Sequence, residues 1–232
     1  MKRTANRKLL SISCLTQLIC CGSIVLVQSL IGSGFCLENR QCILDSVKTF
    51  LLNMYSTILL GWFVTKAAVI DGDDLICTDL KSKVYCLLKS VFATFCGNFL
   101  YHFITVIYGA PFIENLEETH LFSCLMSAMT ILPLSLVSDG KWWNILQILD
   151  FKLYKSGQMV DNVRLISFLT IVGALAGSAA IPLDWDRPWQ AWPVPCCIGA
   201  TFGYTIGLLI FAALPVLEFI KVKYENTKVK YY

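Results

Sequence analysis

Charged residues are scarce in this chain of 232 residues. Asp, Glu, Lys and Arg together make up 15% of the sequence, whereas hydrophobic residues make up 56%. A soluble domain of this length carries about 25% charged residues. Because the deficit extends along the whole chain, it excludes a soluble domain with one anchor and indicates a polytopic membrane protein. The net charge is only +3 and the basic residues form no continuous stripe, so no nucleic-acid partner is expected.

Residues that carry chemistry are equally few. His102 and His120 are the only histidines, and the cysteines form no Cys-x-x-Cys pair. No Cys/His cluster has the spacing of a metal site, and no nucleophile elbow is present. We therefore expect no catalytic residue, no metal and no cofactor in this chain. The sequence also contains no N-x-Ser/Thr sequon, so natural glycosylation provides no information on topology.

Long apolar segments are what the sequence does contain. A membrane-crossing helix needs about 20 mostly apolar residues. Six segments meet this requirement, at residues 9–32, 49–70, 84–108, 119–137, 166–183 and 194–220. They predict an all-α polytopic membrane bundle of six transmembrane helices, which forms a single integral membrane domain over residues 1–232.

Lys and Arg residues lie mainly in the two terminal tails and in alternate loops. These basic residues are Lys2, Arg3, Arg7, Lys8, Lys81, Lys83, Lys141, Lys152, Lys155, Arg164, Lys221, Lys223, Lys228 and Lys230. The other loops carry only Arg40, Lys48 and Arg187. Because cytosolic loops are enriched in positive charge, both termini are predicted to be cytosolic. The apolar periodicity at 142–154 predicts an interfacial helix on the same side.

The most distinctive segment is a short polar hairpin between the last two apolar segments. Its signature residues are the charged Asp184, Asp186 and Arg187, the aromatic Trp185, Trp189 and Trp192, and Pro188. Each charged residue would cost about 2.5–3.5 kcal/mol at the bilayer centre, whereas Trp favours the membrane interface. The topology predicted above places this hairpin on the lumenal or exterior side. A structural role and a partner-facing or substrate-facing role both remain open.

Glycines recur every four residues on both sides of this hairpin. Gly173 and Gly177 precede it, and Gly199, Gly203 and Gly207 follow it. This spacing places the glycines on one face of each helix, where the missing side chains let two backbones approach closely. We expect these faces to pack on each other, or one of them to face a different protein.

The two loops predicted to lie on the same side as the hairpin contain a pair of cysteines and a group of acids. Cys36 and Cys42 lie in the first loop, where an oxidising compartment permits a disulfide. A bonded pair and two free thiols are both open. The acids of the second loop are Glu114, Glu117 and Glu118. For these, solvation and pairing with Arg187 are the two alternatives.

Two stretches of the chain resemble the PIG-F family of glycosylphosphatidylinositol (GPI) anchor biosynthesis. The first comprises residues 181–190, Trp192-Pro193, residues 199–204 and Gly207; the second comprises His102, residues 108–111, Glu118-Thr119 and Leu121-Phe122. The resemblance extends over residues 102–133 and 172–208.

This resemblance implies a multi-pass protein of the endoplasmic reticulum membrane that is not itself an enzyme. It implies a stabilising subunit of the ethanolamine-phosphate transferase complexes that add phosphoethanolamine to mannoses of the GPI precursor. The implied partners are the large catalytic subunits that modify the third and second mannoses, together with membrane lipid. Contact with the GPI precursor is an open alternative. The competing hypotheses are a small lipid-modifying enzyme and a transporter or scramblase for the GPI intermediate.

Overall fold

The computed structural model describes residues 45, 47–56, 58–59, 80–110, 115–138, 158–183 and 190–229, with only the backbone described at 80, 83, 158–161, 212 and 214–229. Within these ranges the chain is mainly helical, with short turns, and forms no strand. A first helical segment covers residues 47–56 and 58–59. Five helices follow: α1 (Leu80–Ile107), α2 (Leu116–Met129), α3 (Ile131–Val137), α4 (Gln158–Ser178) and α5 (Val194–Val229). The prediction of an all-α fold is confirmed for this part of the chain.

Three helical stretches in the described ranges are long and apolar enough to cross a membrane. They are Val84–Ile107, Leu116–Val137 and Val194–Phe211, and a shorter apolar stretch covers Asn162–Ser178. All four overlap segments that the sequence predicts to be transmembrane. The predicted segment at 9–32 and the interfacial helix at 142–154 lie outside the described residues.

The predicted segment at 119–137 is interrupted where α2 meets α3. Thr130 lies between the two helices with φ −113° and ψ −61°, and its amide still donates to the Met126 carbonyl oxygen at 3.0 Å. Pro133 explains the interruption, because proline has no N–H and its ring clashes with the carbonyl group four residues earlier. That carbonyl belongs to Met129, the last residue of α2. The stretch from 116 to 137 is therefore helical on both sides of a local break.

Helix α4 begins and ends earlier in the chain than the predicted span at 166–183. The helix begins at Gln158 and ends at Ser178. Residues 179–183 instead form turns in which the Ala180 amide donates to the Gly177 carbonyl oxygen at 3.1 Å. Pro182 cannot donate a backbone hydrogen bond, so it favours the end of the helix at this point.

The helices α4 and α5 approach each other more closely than side chains would allow. A β-carbon on Gly173 would overlap the Gly199 carbonyl oxygen and lie 3.1 Å from the Gly203 α-carbon. A β-carbon on Gly177 would overlap the Pro195 carbonyl oxygen. Gly207 faces Ile166, whose α-carbon would lie 2.9 Å from an added β-carbon. The two glycine faces therefore pack on each other, and the third glycine of α5 also contacts α4.

This interface holds α5 against the core of the bundle. Ala200, Tyr204 and Leu208 of α5 are buried, and they join a core cluster with residues of α2, α3 and the first helical segment. Leu125, Met129, Leu132 and Met54 are the largest fully buried apolar side chains of the other elements in this cluster. The core therefore lies between α5, the α2–α3 pair and the first helical segment.

We predict that Gly177→Leu destabilises the protein far more than Ala176→Leu. Leucine at 177 would meet backbone atoms of α5, which cannot move aside as a flexible side chain can. Overpacking typically costs about 1–3 kcal/mol, and more where the backbone must shift. Ala176 is the neighbouring exposed position, so leucine there adds the same atoms without a collision. Thermal unfolding of both variants in detergent, followed by size-exclusion chromatography, measures the difference. Equal unfolding temperatures would contradict the role assigned to this interface.

Candidate functional site

Several helix ends meet at one end of the bundle. The C-terminal ends of α1 and α4 lie there with the N-terminal ends of α2 and α5, as the contacts described below establish. We call this the hairpin end, because residues 179–193 connect α4 to α5 at this point. The start of the first helical segment also reaches it through Lys48. Connections at this end therefore join three parts of the chain that are far apart in sequence.

Trp192 attaches the hairpin to α2. Its Nε1 donates a hydrogen bond to the Thr119 hydroxyl at 3.0 Å, across 73 positions of sequence. Thr119 is fully buried, and its own hydroxyl donates to the Asn115 carbonyl oxygen at 3.0 Å. The Trp192 ring also contacts Phe122 edge to face, with 5.3 Å between the ring centroids. One side chain thus satisfies its polar atom and buries its apolar surface against the same helix.

Gln190 closes the turn between α4 and the hairpin. Its side-chain amide donates to the Ala180 carbonyl oxygen at 3.0 Å and to the Leu183 carbonyl oxygen at 2.7 Å. Both carbonyl groups belong to the turn at 179–183, outside the hydrogen-bond ladder of α4. Because Gln190 is buried, these two hydrogen bonds are protected from competition with water. The amide therefore fixes the path of the chain as it leaves α4.

An ion pair joins the start of the first helical segment to α2. Lys48 Nζ lies 2.6 Å from a Glu117 carboxylate oxygen and 3.9 Å from an Asp45 carboxylate oxygen. The hydrogen bond to Glu117 raises the pKa of Lys48 above its usual value. Both side chains are exposed, so solvent weakens the interaction. Glu117 therefore has Lys48 as a counter-ion while its side chain stays exposed to solvent. Arg187 lies outside the described residues, so its pairing with these acids stays a prediction.

A polar cluster lies beside this ion pair, between α1 and α2. The Asn98 Nδ2 lies 3.5 Å from His120 Nδ1, and His120 Nε2 lies 3.6 Å from Cys124 Sγ. The His102 and His120 rings are 6.3 Å apart between centroids. Within the described part of the chain, no group of three His, Cys, Asp or Glu residues is arranged to hold a metal ion. The cluster can donate and accept hydrogen bonds.

Two atoms of this cluster have no hydrogen-bond partner among the described residues. They are Asn98 Oδ1 and His102 Nδ1, and both are buried. The Asn98 side chain as a whole is 7% exposed. Buried polar atoms are almost always paired, and an unpaired one costs about 1–3 kcal/mol. The hydrogen bonding of the cluster is therefore incomplete within the described part of the chain.

Only some of the site residues predicted from the sequence lie within the described part of the chain. The five glycines and Trp192 are described: the glycines line the contact between α4 and α5, and Trp192 lies at the hairpin end. The remaining signature residues, 184–189, lie outside the described residues, as do Cys36 and Cys42. Cys36–Cys42 pairing and the role of the acidic and aromatic hairpin residues therefore stay predictions.

Comparison with known proteins assigns the chain to a family. The sequence model of the GPI biosynthesis protein family Pig-F matches residues 7–212. The chain belongs to the PIG-F family. The resemblance of residues 102–133 and 172–208 to this family is thus confirmed, and it extends over nearly the whole chain. No solved structure is significantly similar to the chain.

Two PIG-F family relatives are similar over most of their length. The GPI ethanolamine phosphate transferase, stabilizing subunit, of Mus musculus is 35% identical over 90% of this chain and 92% of its own length. The protein of the same name from Homo sapiens is 35% identical over 84% of this chain and 87% of its own length. A glycosylphosphatidylinositol anchor biosynthesis protein 11 of Yarrowia lipolytica is 33% identical over 54% of each chain.

The contacts of Trp192 with Thr119 and of Asn98 with His120 were not predicted from the sequence. Trp192 and Thr119 belong to the two separate stretches that carry the family resemblance, and the structure brings these stretches into contact. The occurrence of both residues in family-like stretches was the one feature of the sequence that could have indicated their contact. Asn98 gave no such signal, because it lies four residues before the first matching residue, His102.

We predict that Trp192→Phe and Thr119→Val are coupled in stability. Each substitution removes the hydrogen bond between the two side chains while keeping most of the packing. A buried hydrogen bond of this kind contributes about 0.5–1.5 kcal/mol. In a double-mutant cycle on the free energy of unfolding, the double variant should therefore lose less than the sum of the single variants. Strictly additive effects would show that the indole does not depend on the Thr119 hydroxyl.

Proposed function

We propose that this chain is a non-catalytic, stabilising subunit of ethanolamine-phosphate transferase complexes in GPI-anchor biosynthesis. The observation that carries this proposal is the 35% identity to a stabilizing subunit over 90% of this chain and 92% of the relative. Matches that cover nearly all of both chains support a shared role for the whole protein. The proposed partners are the large catalytic subunits that modify the third and second mannoses of the precursor.

Stabilisation has a direct physical meaning for a helical membrane protein. Helices in lipid associate through close packing and through hydrogen bonds between polar groups, since lipid offers no hydrophobic gain for association. A helical bundle that packs closely on a catalytic subunit and hydrogen-bonds its polar groups lowers the free energy of the assembled state. The α4–α5 pair is a rigid element of this kind, because its backbones are in direct contact. This part of the chain supports assembly without any chemistry of its own.

We further propose that the chain has six transmembrane helices, with both termini cytosolic, in the endoplasmic reticulum membrane. The contacts of Lys48 with Glu117 and of Trp192 with Thr119 support this topology. They join residues from three loops that an alternating six-helix path brings to the same side. On this proposal the hairpin end faces the lumen, where Asp184, Asp186 and Arg187 remain in water. Their role is to shape the turn, and to face the partner or the GPI precursor.

Co-purification tests the assembly role. We expect the tagged full-length chain, expressed in cells that lack their own stabilising subunit, to restore GPI-anchored proteins at the cell surface. Purification in mild detergent should also recover a large transferase subunit, identified by mass spectrometry. Restoration without any recovered transferase would contradict a stable subunit role. Turnover of phosphatidylethanolamine by the purified chain alone, abolished by Asp184→Asn and Asp186→Asn, would instead favour the enzyme hypothesis.

Engineered glycosylation tests the topology. The chain has no natural sequon, so an inserted Asn-x-Thr reports only its own location. We expect a sequon placed in residues 111–114 on a short flexible insert to be glycosylated. The same insert between residues 140 and 155 should remain unmodified, because that loop is predicted to be cytosolic. Migration on a gel before and after glycosidase treatment measures both. The reverse pattern would overturn the proposed orientation.

A further inference from the structure

The polar residues of α1 differ in whether the chain itself satisfies them. Ser90 and Thr94 donate to carbonyl oxygens one turn earlier, at 2.9 Å and 2.8 Å. Thr105 does the same, with the Tyr101 carbonyl oxygen at 3.0 Å. Asn98 and His102 lie on the same helix but keep buried atoms without a partner among the described residues. The unpaired hydrogen-bonding capacity of α1 is therefore concentrated at these two positions.

The depth of Asn98 in the helix limits what can complete its hydrogen bonding. Asn98 lies nine residues before the end of α1 at Ile107, and His102 lies five residues before it. At 1.5 Å per residue these distances are about 14 Å and 7.5 Å. Half of a hydrocarbon core is about 15 Å. Asn98 is therefore close to the middle of a membrane-spanning helix, beyond the reach of a lipid headgroup. A helix from another subunit can present a polar side chain at that depth.

An uncovered aromatic face adjoins these two residues. Phe95, Phe99 and Phe103 are 59%, 58% and 65% exposed. With 100° between successive helical residues, they occupy the positions around the helix that follow Asn98 and His102. The Phe95 and Phe99 rings contact each other edge to face, at 4.9 Å between centroids. The opposite side of α1 packs on α2 and α3, where Ser127 donates to the Thr94 carbonyl oxygen at 2.6 Å.

We propose that Asn98 and His102 form a polar docking point for a transmembrane helix of the catalytic subunit. The inference rests on the proposed function, and it assigns the contact to the aromatic face of α1. The partner helix packs on Phe95, Phe99 and Phe103, and it presents a hydroxyl or carboxamide side chain to the polar cluster. Such groups both donate and accept, so one of them can serve the Asn98 carbonyl oxygen and an imidazole nitrogen.

The partly exposed His102 ring gives access to the cluster. Both unpaired atoms are covered in the isolated chain, so a partner group reaches them only after a side chain turns. His102 is partly exposed and His120 is exposed. Rotation of the His102 ring brings its Nδ1 towards the partner and opens a path to Asn98. In the complex, the partner supplies the hydrogen bonds that the described part of the chain leaves unmade.

Site-specific photocrosslinking in cells tests the location of this contact. Benzoylphenylalanine replaces Phe99 or Phe103 in the tagged full-length chain, with Leu209 on the exposed face of α5 as the matched control position. We expect light-dependent adducts from positions 99 and 103 with a protein that carries the catalytic transferase domain, identified by mass spectrometry. Position 209 should give at least about fivefold less of this adduct. Adducts of positions 99 and 103 only with the chain's own residues would show that this chain covers the face itself, and would overturn the proposal.

Substitution of Asn98 and His102 tests whether they form hydrogen bonds with the partner helix. Asn98→Leu and His102→Phe should lower recovery of the catalytic subunit about fivefold at equal membrane levels of the tagged chain. Thr105→Val should leave recovery unchanged, since the Thr105 hydroxyl donates only to carbonyl oxygens of its own helix. Undiminished recovery with both variants would overturn the docking point while the proposed function stands. If the unmodified chain recovers no transferase subunit, the proposed function fails and this inference fails with it.

Discussion

The contact between the backbones of α4 and α5 is the constraint on which the rest of the described structure depends. Gly173, Gly177, Gly199 and Gly203 leave no room for a β-carbon, so the two helices have one register relative to each other. That register fixes where the chain leaves α4 and where it enters α5. The turn closed by Gln190 and the position of Trp192 follow from it. A few small residues thus determine the geometry of the whole hairpin end.

The second level of organisation is the attachment of this rigid pair to the other helices. Trp192 reaches Thr119 at the start of α2, and Tyr204 of α5 is buried in the core that α2 and α3 line. On the other side of α2–α3, Tyr101 of α1 lies 2.8 Å from the Thr130 hydroxyl oxygen. Because Thr130 donates its own proton to the Met126 carbonyl oxygen, Tyr101 is the donor in this contact. The α2–α3 pair therefore connects α5 to α1, although its helix is interrupted at Thr130.

The sequence predicted the elements better than the contacts between them. Apolar length alone located α1, the 116–137 stretch and α5, because a helix that crosses lipid must be apolar over about 20 residues. Helix α4 ends at Ser178, before Pro182, whereas the predicted apolar segment continues through Pro182 to residue 183. The Trp192–Thr119 and Asn98–His120 contacts depend on the relative rotation of whole helices, which periodicity along one helix cannot specify. Glycine spacing is the exception, because a small-residue face implies both a close approach and its direction.

The way in which polar groups are satisfied separates the packed interior from the surface proposed for a partner. Serine and threonine carry a hydroxyl that reaches the carbonyl oxygen of the preceding turn, so Ser123, Ser167 and Thr170 are buried at no cost in lost hydrogen bonds. Asparagine and histidine each carry a second polar atom, which one such hydrogen bond would leave without a partner. Near the middle of a membrane, such side chains cost free energy and add nothing to apolar packing. Their occurrence at 98 and 102, next to an exposed aromatic face, is therefore better explained by a partner helix than by the stability of the isolated bundle.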